Sequence, residues 1–111
     1  MTEAASATPA ELISVVVPSA YRPADLTRCL EALGVQTLAP DLVVVVLRED
    51  DYAGAQVVET LGNRFPSLVL HVVHPTKVGY VPALEAGIRR TSSPWIAFLD
   101  DDAVPPPAWI N

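Results

Sequence analysis

The chain has 111 residues, of which 50% are hydrophobic, and a formal net charge of −6 at pH 7. This length suits one domain with a real core, and the high apolar content excludes a wholly disordered chain. The 7 basic residues are outnumbered by 13 acidic ones, which argues against binding to the phosphate backbone of nucleic acids, and no apolar run is long enough to span a bilayer.

Residues 1–11 are expected to form a flexible N-terminal tail. They are small and polar and lack both the basic start and the apolar stretch of a secretory signal. The single cysteine, Cys29, allows no internal disulfide, which suits a reducing compartment. We therefore expect a cytoplasmic protein whose folded part covers residues 12–111.

The first predicted strand covers residues 12–18, which are rich in β-branched side chains and end at Pro18. A turn follows, and Pro23 suits the first turn of a helix. Cys29 lies in the apolar stripe of that helix, so we interpret it as a small buried hydrophobe and not as a reactive thiol. The helix is predicted to end near Gly34, and its stripe consists of Leu26, Cys29, Leu30 and Leu33.

The second predicted strand covers residues 42–47, which are apolar throughout and hence expected to be buried on both faces. The N-cap of the following helix is predicted to be Asp50 or Asp51, and its end is predicted at Gly62. The predicted inner side of this helix carries Val57, Val58 and Leu61.

The third predicted strand covers residues 68–73, with His71 inside it and His74 just beyond it. Neither histidine has a second metal ligand at a recognisable spacing, so we interpret both as solvated or core-edge residues. In the following loop, Gly79 permits a positive φ or a close approach to a ligand. Lys77 in the same loop is a candidate contact for a phosphate group, although loop lysines are more often simply solvated.

A third helix is predicted over residues 81–91, with Pro82 in its first turn. Gly87 is expected to allow close packing of this helix on the sheet. The side chains predicted to face inward are Val81, Leu84 and Ile88.

The fourth predicted strand, residues 95–99, is apolar and is expected to be buried on both faces. Asp100, Asp101 and Asp102 follow it directly. Because three adjacent carboxylates repel one another and resist desolvation, the strand should deliver them to an open rim. Mg²⁺ is usually held by one or two protein carboxylates while substrate phosphates supply other ligands, so a cation site is one interpretation. An acidic loop or helix cap is the other, and these residues alone favour neither.

The alternation of strands and helices predicts an α/β fold with a parallel sheet and right-handed crossovers. In a doubly wound order 3-2-1-4, ligands bind at the carboxyl ends where the order reverses, so residues 18–22 would meet residues 100–102 there. No G-x-G-x-x-G motif follows the first strand and no Walker lysine motif is present, which argues against a dinucleotide site or a P-loop. The fourth strand would form a sheet edge without charge or proline, which favours self-association or pairing with strands of a longer chain.

Taken in order, these motifs resemble the family 2 glycosyltransferases of GT-A fold. Residues 14–19 with Arg22 and Pro23 resemble the opening strand, turn and helix of the family, and residues 83–88 resemble the helix before its metal motif. Residues 97–102 match its D-x-D region, and the resemblance extends over residues 12–111. It implies a Rossmann-like, doubly wound, mostly parallel sheet, truncated after the D-x-D strand, in the N-terminal donor-binding part of the catalytic domain.

The resemblance also implies roles for single residues. Asp102 would coordinate Mg²⁺ or Mn²⁺ bridging the donor diphosphate. Asp100 would lie near the donor ribose or sugar and is the second candidate metal ligand, while Asp101 would support either role. The candidate donor-binding residues are Pro18, Ser19, Tyr21, Arg48, Asp50, Lys77, Asp100 and Asp101.

The implied reaction transfers a sugar from a nucleoside-diphosphate sugar to a carbohydrate or other hydroxyl acceptor, with inversion. The acceptor needs a carboxylate base, which in the family lies downstream of the D-x-D motif and is thus expected beyond Asn111. Ala20 stands where the family commonly has an aromatic that contacts the base, and Leu47-Arg48 stands where it often has an acidic pair. Uridine diphosphate is expected first, from its frequency in the family, with guanine and thymine nucleotides left open.

Two other functions remain as alternatives. A flavodoxin-like phosphoacceptor domain would need acids after the first and third strands, where Pro18 and His74-Pro75 stand instead. A noncatalytic nucleotide-binding module would retain the donor site without turnover.

Overall fold

The computed structural model describes residues 13–110. The predicted tail at residues 1–11, the predicted strand start at Leu12 and the last residue, Asn111, lie outside them. The elements are β1 Ile13–Pro18, α1 Pro23–Gly34, β2 Leu42–Val46, α2 Tyr52–Arg64, β3 Leu70–Val73, α3 Tyr80–Arg90 and β4 Trp95–Phe98. This alternation of four strands and three helices confirms the predicted order.

The four strands form one parallel sheet in the order β3-β2-β1-β4. This confirms the predicted order 3-2-1-4 and differs from the flavodoxin-like order, in which β1 lies between β2 and β3. Val15 of β1 lies opposite Val43 of β2 on one side and Ala97 of β4 on the other. The chain order therefore reverses between β1 and β4, and the carboxyl ends of these two strands lie side by side.

The central strands are buried on both faces. Val15 and Val17 of β1 pack with residues of α1 and α2, whereas Val16 packs with residues of α3. Successive side chains of a strand point to opposite faces, so the helices lie in two layers with the sheet between them. This burial confirms the interpretation of β1 and β2 as interior strands of a parallel sheet.

The end of α2 differs from the prediction. Gly62 was predicted to end the helix, but α2 continues to Arg64, and the Phe65 amide still donates to the Leu61 carbonyl. A basic side chain in the last turn is favourable at the negative end of the helix dipole. β3 is also shorter than predicted, since it begins at Leu70 and not at Leu68.

The sequence-based prediction of which α3 side chains face the sheet is wrong. Val81 and Ile88 were predicted to face inward, but they are 62% and 42% exposed, and Leu84 is only half-buried. Small residues form the contact instead: Ala83 and Ala86 pack on the strands, and Gly87 is buried. A Cβ on Gly87 would lie 2.4 Å from Cγ1 of Val16, so the helix lies closer to the sheet than larger side chains would permit.

The prediction that β4 is buried on both faces is also wrong. Trp95 is 71% exposed and Phe98 is 45% exposed. Within residues 13–110, β4 pairs with β1 alone and α3 covers the other three strands, so its outer edge and much of its surface lie open.

Among the described helices none is long and apolar enough to cross a membrane.

Candidate functional site

A cavity of about 770 Å³ opens at the carboxyl ends of the strands, where β1 and β4 lie side by side. The turn after β1, the end of β2, the loop before α3 and the acids after β4 form its walls. Most of the predicted site residues line this cavity, namely Pro18, Ser19, Tyr21, Arg48, Asp100, Asp101 and Asp102. The parallel sheet thus brings together residues that are about eighty positions apart in the chain.

Asp101 has a structural role at the floor of the cavity. Its side chain is almost fully buried, and its Oδ2 accepts a hydrogen bond of 2.8 Å from the Ser19 hydroxyl. The Arg22 Nη2 atom lies 3.0 Å from its Oδ1. Both oxygens are therefore engaged by the turn after β1, which ties that turn to the acidic segment after β4.

Asp100 and Asp102 lie at the rim and remain open to solvent. The Asp102 side chain is 62% exposed, and its Oδ2 lies 3.7 Å from Arg22 Nη2. Asp100 is also exposed, and the Tyr80 hydroxyl lies 3.5 Å from its Oδ1. These two carboxylates are the ones that can take an external ligand.

The donor set at the rim fits a hard divalent cation held jointly with a substrate. Within the described residues no cluster of three or more histidine, cysteine or acidic side chains is arranged to hold a metal by itself. Mg²⁺ and similar ions are commonly held by one or two carboxylates, with phosphate oxygens and water completing the shell. Asp100 and Asp102 would supply those two carboxylates.

Cys29 supports the acidic segment from below. The thiol is fully buried and lies 3.7 Å from the Asp100 carbonyl oxygen. Burial raises the pKa of the Cys29 thiol to about 12, and the neighbouring carboxylates of Asp101, Asp102 and Asp100 add to the effect. The thiol therefore stays neutral, which confirms the interpretation of Cys29 as a buried hydrophobe.

Gln36 anchors the segment that follows the acids, a contact that the sequence did not indicate. Its Nε2 atom donates to the Pro106 carbonyl at 2.8 Å, and its Oε1 atom accepts from the Ile110 amide at 3.2 Å. The Thr37 amide donates to the Pro107 carbonyl at 2.7 Å. These bonds hold the chain after Asp102 against the end of α1.

Tyr21 forms the wall on the β2 side. Its ring is 57% exposed in the cavity, and its backbone has a φ of 57°. The hydroxyl donates to Asp50 Oδ1 at 2.5 Å, and this bond is the main reason that the pKa of Tyr21 is raised. Asp50 does not line the cavity and contacts the site through the Tyr21 hydroxyl. The predicted acidic N-cap of α2 is Asp51, which accepts a hydrogen bond from the Gly54 amide.

Lys77 lies away from the acids. It lines a neighbouring surface depression with His74 and Arg89, whereas Val78 and Gly79 of the same loop line the main cavity. Gly79 has a φ of 125°, as its predicted freedom allowed, and this lets the loop turn toward the cavity.

Neither histidine belongs to the acidic rim. His74 Nδ1 is hydrogen-bonded to the Leu47 carbonyl at 2.8 Å, and His71 lies in β3 with a buried Nδ1 atom. Both positions agree with the interpretation of these histidines as core-edge residues.

Arg22 and Tyr80 line the cavity but were not among the predicted site residues. A signal for Arg22 was present: a basic side chain just after β1, at the point where the strand order reverses, faces the acids that follow β4. Tyr80 begins α3 directly after the positive φ of Gly79. It offered no comparable signal, because an exposed aromatic at a helix start is common.

The family described as "Glycosyl transferase family 2" matches residues 14–111 of this chain. An uncharacterized glycosyltransferase of Haemophilus influenzae is 33% identical over 91 residues, which cover 82% of this chain and 29% of that protein. The validoxylamine A glucosyltransferase of Streptomyces hygroscopicus subsp. limoneus is 34% identical over 104 residues, covering 90% of this chain and 22% of that protein. The chain therefore spans less than a third of the length of these two relatives.

Solved structures share the fold. A mannosyltransferase from Pyrobaculum calidifontis, in complex with GDP-Man and Mn²⁺, matches with a TM-score of 0.77 and 24% identity over 86% of this chain and 28% of that one. A glucosyl-3-phosphoglycerate synthase from Mycobacterium tuberculosis, in complex with Mn²⁺, uridine diphosphate and glucosyl-3-phosphoglycerate, matches with a TM-score of 0.68 and 22% identity over 87% of this chain and 36% of that one. The described sheet is thus of the type found in these GT-A glycosyltransferases.

Proposed function

The chain belongs to the family 2 glycosyltransferases, and from this membership we propose that residues 13–110 form the donor side of a metal-dependent glycosyl transfer. The observation that carries the proposal is that one of the three acids is buried and bonded, whereas the other two are exposed. Both oxygens of Asp101 are engaged by Ser19 and Arg22, whereas Asp100 and Asp102 stay exposed at the mouth of the cavity. The two exposed carboxylates lie beside the carboxyl ends of β1 and β4, where the strand order reverses and where ligands bind in sheets of this kind.

The diphosphate of the donor is assigned to the acidic rim. Asp102 and Asp100 would hold Mg²⁺ or Mn²⁺ there, and the two similar structures are complexes that contain Mn²⁺ as well as GDP-Man or uridine diphosphate. When bound, the cation neutralises the charge that develops on the departing diphosphate. Arg22 and Ser19 keep Asp101 in place and so fix the direction in which its two neighbours point.

The nucleoside is assigned to the wall formed by Pro18, Tyr21 and Arg48. An aromatic ring that is more than half exposed offers a face on which a base can stack. Asp50 is bound to the Tyr21 hydroxyl, and Arg48 brings a positive charge to the same wall. We place uridine diphosphate first as the leaving group because of its frequency in the family, with guanosine diphosphate second. The two similar structures contain one each.

The transfer itself is proposed to invert the configuration of the sugar. In an inverting displacement the acceptor hydroxyl approaches the face of the sugar opposite the leaving diphosphate, and a carboxylate there takes its proton. Asp100, Asp101 and Asp102 all lie on the diphosphate side in this arrangement. The base is therefore assigned to a different residue, and these three acids are assigned to the donor alone.

Calorimetric titration with uridine, guanosine and thymidine diphosphates, each with and without Mn²⁺, tests the proposal. We expect one nucleotide to bind best and its affinity to rise about tenfold or more with Mn²⁺, because the cation screens the repulsion between the diphosphate and the acids. The assignment would be contradicted if no nucleotide bound, or if the nucleotide affinity were the same with and without Mn²⁺. Release of the nucleotide from the matching sugar donor separates a transferase from a module that only binds.

A further inference from the structure

We infer that Asp51 is a positioning residue of the donor site, which sets nucleotide affinity by holding the turn that carries Tyr21. This inference rests on the proposed function, because it assumes that the Tyr21 wall receives the nucleoside. Asp51 itself does not line the cavity, so its effect must pass through Tyr21.

The Asp51 carboxylate joins the start of α2 to the turn after β1, which lies thirty residues earlier in the chain. Its Oδ2 atom accepts from the Tyr21 amide at 2.8 Å, and its Oδ1 atom accepts from the Gly54 amide at 2.9 Å. The residue is only 3% exposed. A buried carboxylate that accepts two backbone amides makes strong, charge-assisted bonds, so this bridge is far stiffer than a contact between exposed side chains.

Tyr21 needs such a bridge because its backbone is strained. A φ of 57° lies in the left-handed region, which non-glycine residues adopt at a cost and mostly at functional sites. The residue is then held at both ends: its backbone amide by Asp51 and its side-chain hydroxyl by Asp50. Two consecutive acids thus fix one aromatic ring against the cavity.

Gly54 gives independent support for this role of Asp51. A Cβ added to Gly54 would lie 2.9 Å from Asp51 Oδ2 and 3.0 Å from Leu47 Cδ2. The glycine therefore leaves the space in which the carboxylate can face both amides. An ordinary N-cap needs only one side-chain oxygen and no such space for the second.

Loss of the bridge should lower nucleotide affinity. A free Tyr21 turn would relax from its left-handed backbone and would have to be ordered again when the nucleotide binds, which weakens binding. The Asp51→Ser variant isolates this effect, because serine is a good N-cap and can still accept from the Gly54 amide. Its side chain is too short to reach Tyr21 as well.

We expect Asp51→Ser to raise the dissociation constant of the preferred nucleoside diphosphate about tenfold. Hydrogen exchange of the Tyr21 amide should become fast in this variant. In a Tyr21→Ala background, Asp51→Ser should change the affinity by less than about twofold, since residues that act through one another are not additive. Glu49→Gln, which removes an exposed charge from the same loop, is the control and should change neither readout.

Three results would overturn the inference: additive losses in the double variant, unchanged affinity in Asp51→Ser, or a Tyr21 amide that exchanges rapidly in the unaltered chain. Should Asp51→Ser fail to fold, Gly54→Ala crowds the same carboxylate and must weaken binding in its place. Failure of the unaltered chain to bind any nucleotide would contradict the proposed function, whereas the exchange rate of the Tyr21 amide judges the bridge without any nucleotide.

Discussion

The Arg22 guanidinium lies 3.0 Å from the buried Asp101 carboxylate and 3.7 Å from the exposed Asp102 carboxylate. One positive charge therefore contacts both the acid that ties the loops together and an acid that is free for a ligand. Because adjacent carboxylates repel one another, Arg22 lowers the free energy of the acidic segment in the absence of a cation. The same contact makes this segment sensitive to changes in Arg22.

Arg22→Gln should lower the free energy of unfolding by about 1–2 kcal/mol, because the nearly buried Asp101 loses its charged partner and retains only Ser19. Arg28→Gln is the matched control, because Arg28 and Arg22 both pair with Asp25 on α1, where such pairs contribute less than about 0.5 kcal/mol. Urea unfolding of both variants measures the difference. Equal losses would show that Arg22 is an ordinary surface cation.

Asp102→Asn should remove the gain in nucleoside diphosphate affinity that Mn²⁺ produces, which we expect to be about tenfold or more. The amide is nearly isosteric but lacks the charge that holds a cation, and the exposed position of the side chain leaves the fold intact. Calorimetry with and without Mn²⁺ measures the effect. Glu59→Gln on the exposed side of α2 is the control, and an unchanged Mn²⁺ effect in Asp102→Asn would rule out this residue as a ligand.

Gly87→Ala should destabilise the fold by about 1–3 kcal/mol, because its new methyl group would lie 2.4 Å from Val16 Cγ1 and force α3 away from the sheet. Gly62→Ala provides the opposite case. Its methyl group would lie 3.9 Å from Leu70 Cδ1 on β3, an ordinary van der Waals distance, so better helix propensity should raise stability by about 0.5–1 kcal/mol. Urea unfolding compares the two, and a destabilised Gly62→Ala with a neutral Gly87→Ala would refute this packing.

The buried Cys29 thiol should make stability fall at alkaline pH. The pKa of an unfolded cysteine is about 8.5, whereas the pKa of folded Cys29 is raised to about 12. The contribution is therefore fully present below the unfolded pKa and is lost as the pH rises toward the folded one, by up to about 1.4 kcal/mol per pH unit. Cys29→Ala should lack this part of the slope, and parallel pH profiles for the two proteins would contradict the expectation.

The open edge of β4 should cause self-association. Trp95 is 71% exposed, and the outer backbone groups of β4 pair with no other strand within residues 13–110. Unpaired strand edges with apolar side chains recruit further strands. Sedimentation at several concentrations should show association that Trp95→Lys reduces, while Leu38→Lys, at another exposed apolar site, leaves it unchanged. A monomer at every concentration would contradict this prediction.

Local patterns in the sequence predicted most of the fold. The continuous apolar runs in β1 and β2 indicated strands buried on both faces, and Pro23 and Asp51 marked the starts of the two helices that follow them. The alternation of elements then required parallel pairing with right-handed crossovers. In a doubly wound sheet of order 3-2-1-4, these features predict that the first turn meets the acidic segment.

The burial of β4 and of α3 was predicted incorrectly from their apolar content, because burial depends on which neighbouring elements cover a surface. The residues of β4 are as apolar as those of a central strand, yet Trp95 and Phe98 are exposed because β4 is an edge strand within residues 13–110. In α3, Val81 and Ile88 are exposed because the sheet receives the face with the smallest side chains, around Gly87. A periodic pattern records hydrophobicity but does not record how closely a neighbour approaches.

The sequence by itself determined that three acids follow an apolar strand, because the ends of strands depend on local patterns. That the sheet order reverses beside them was an expectation of the doubly wound order, and the structure confirmed it. Only the tertiary structure decided which acid is buried against Ser19 and Arg22, and which acids stay open. It also decided that Asp51 holds Tyr21. Such hydrogen bonds join single residues that are thirty or eighty positions apart, and a contact of that kind depends on three-dimensional proximity and leaves no periodic trace in the chain.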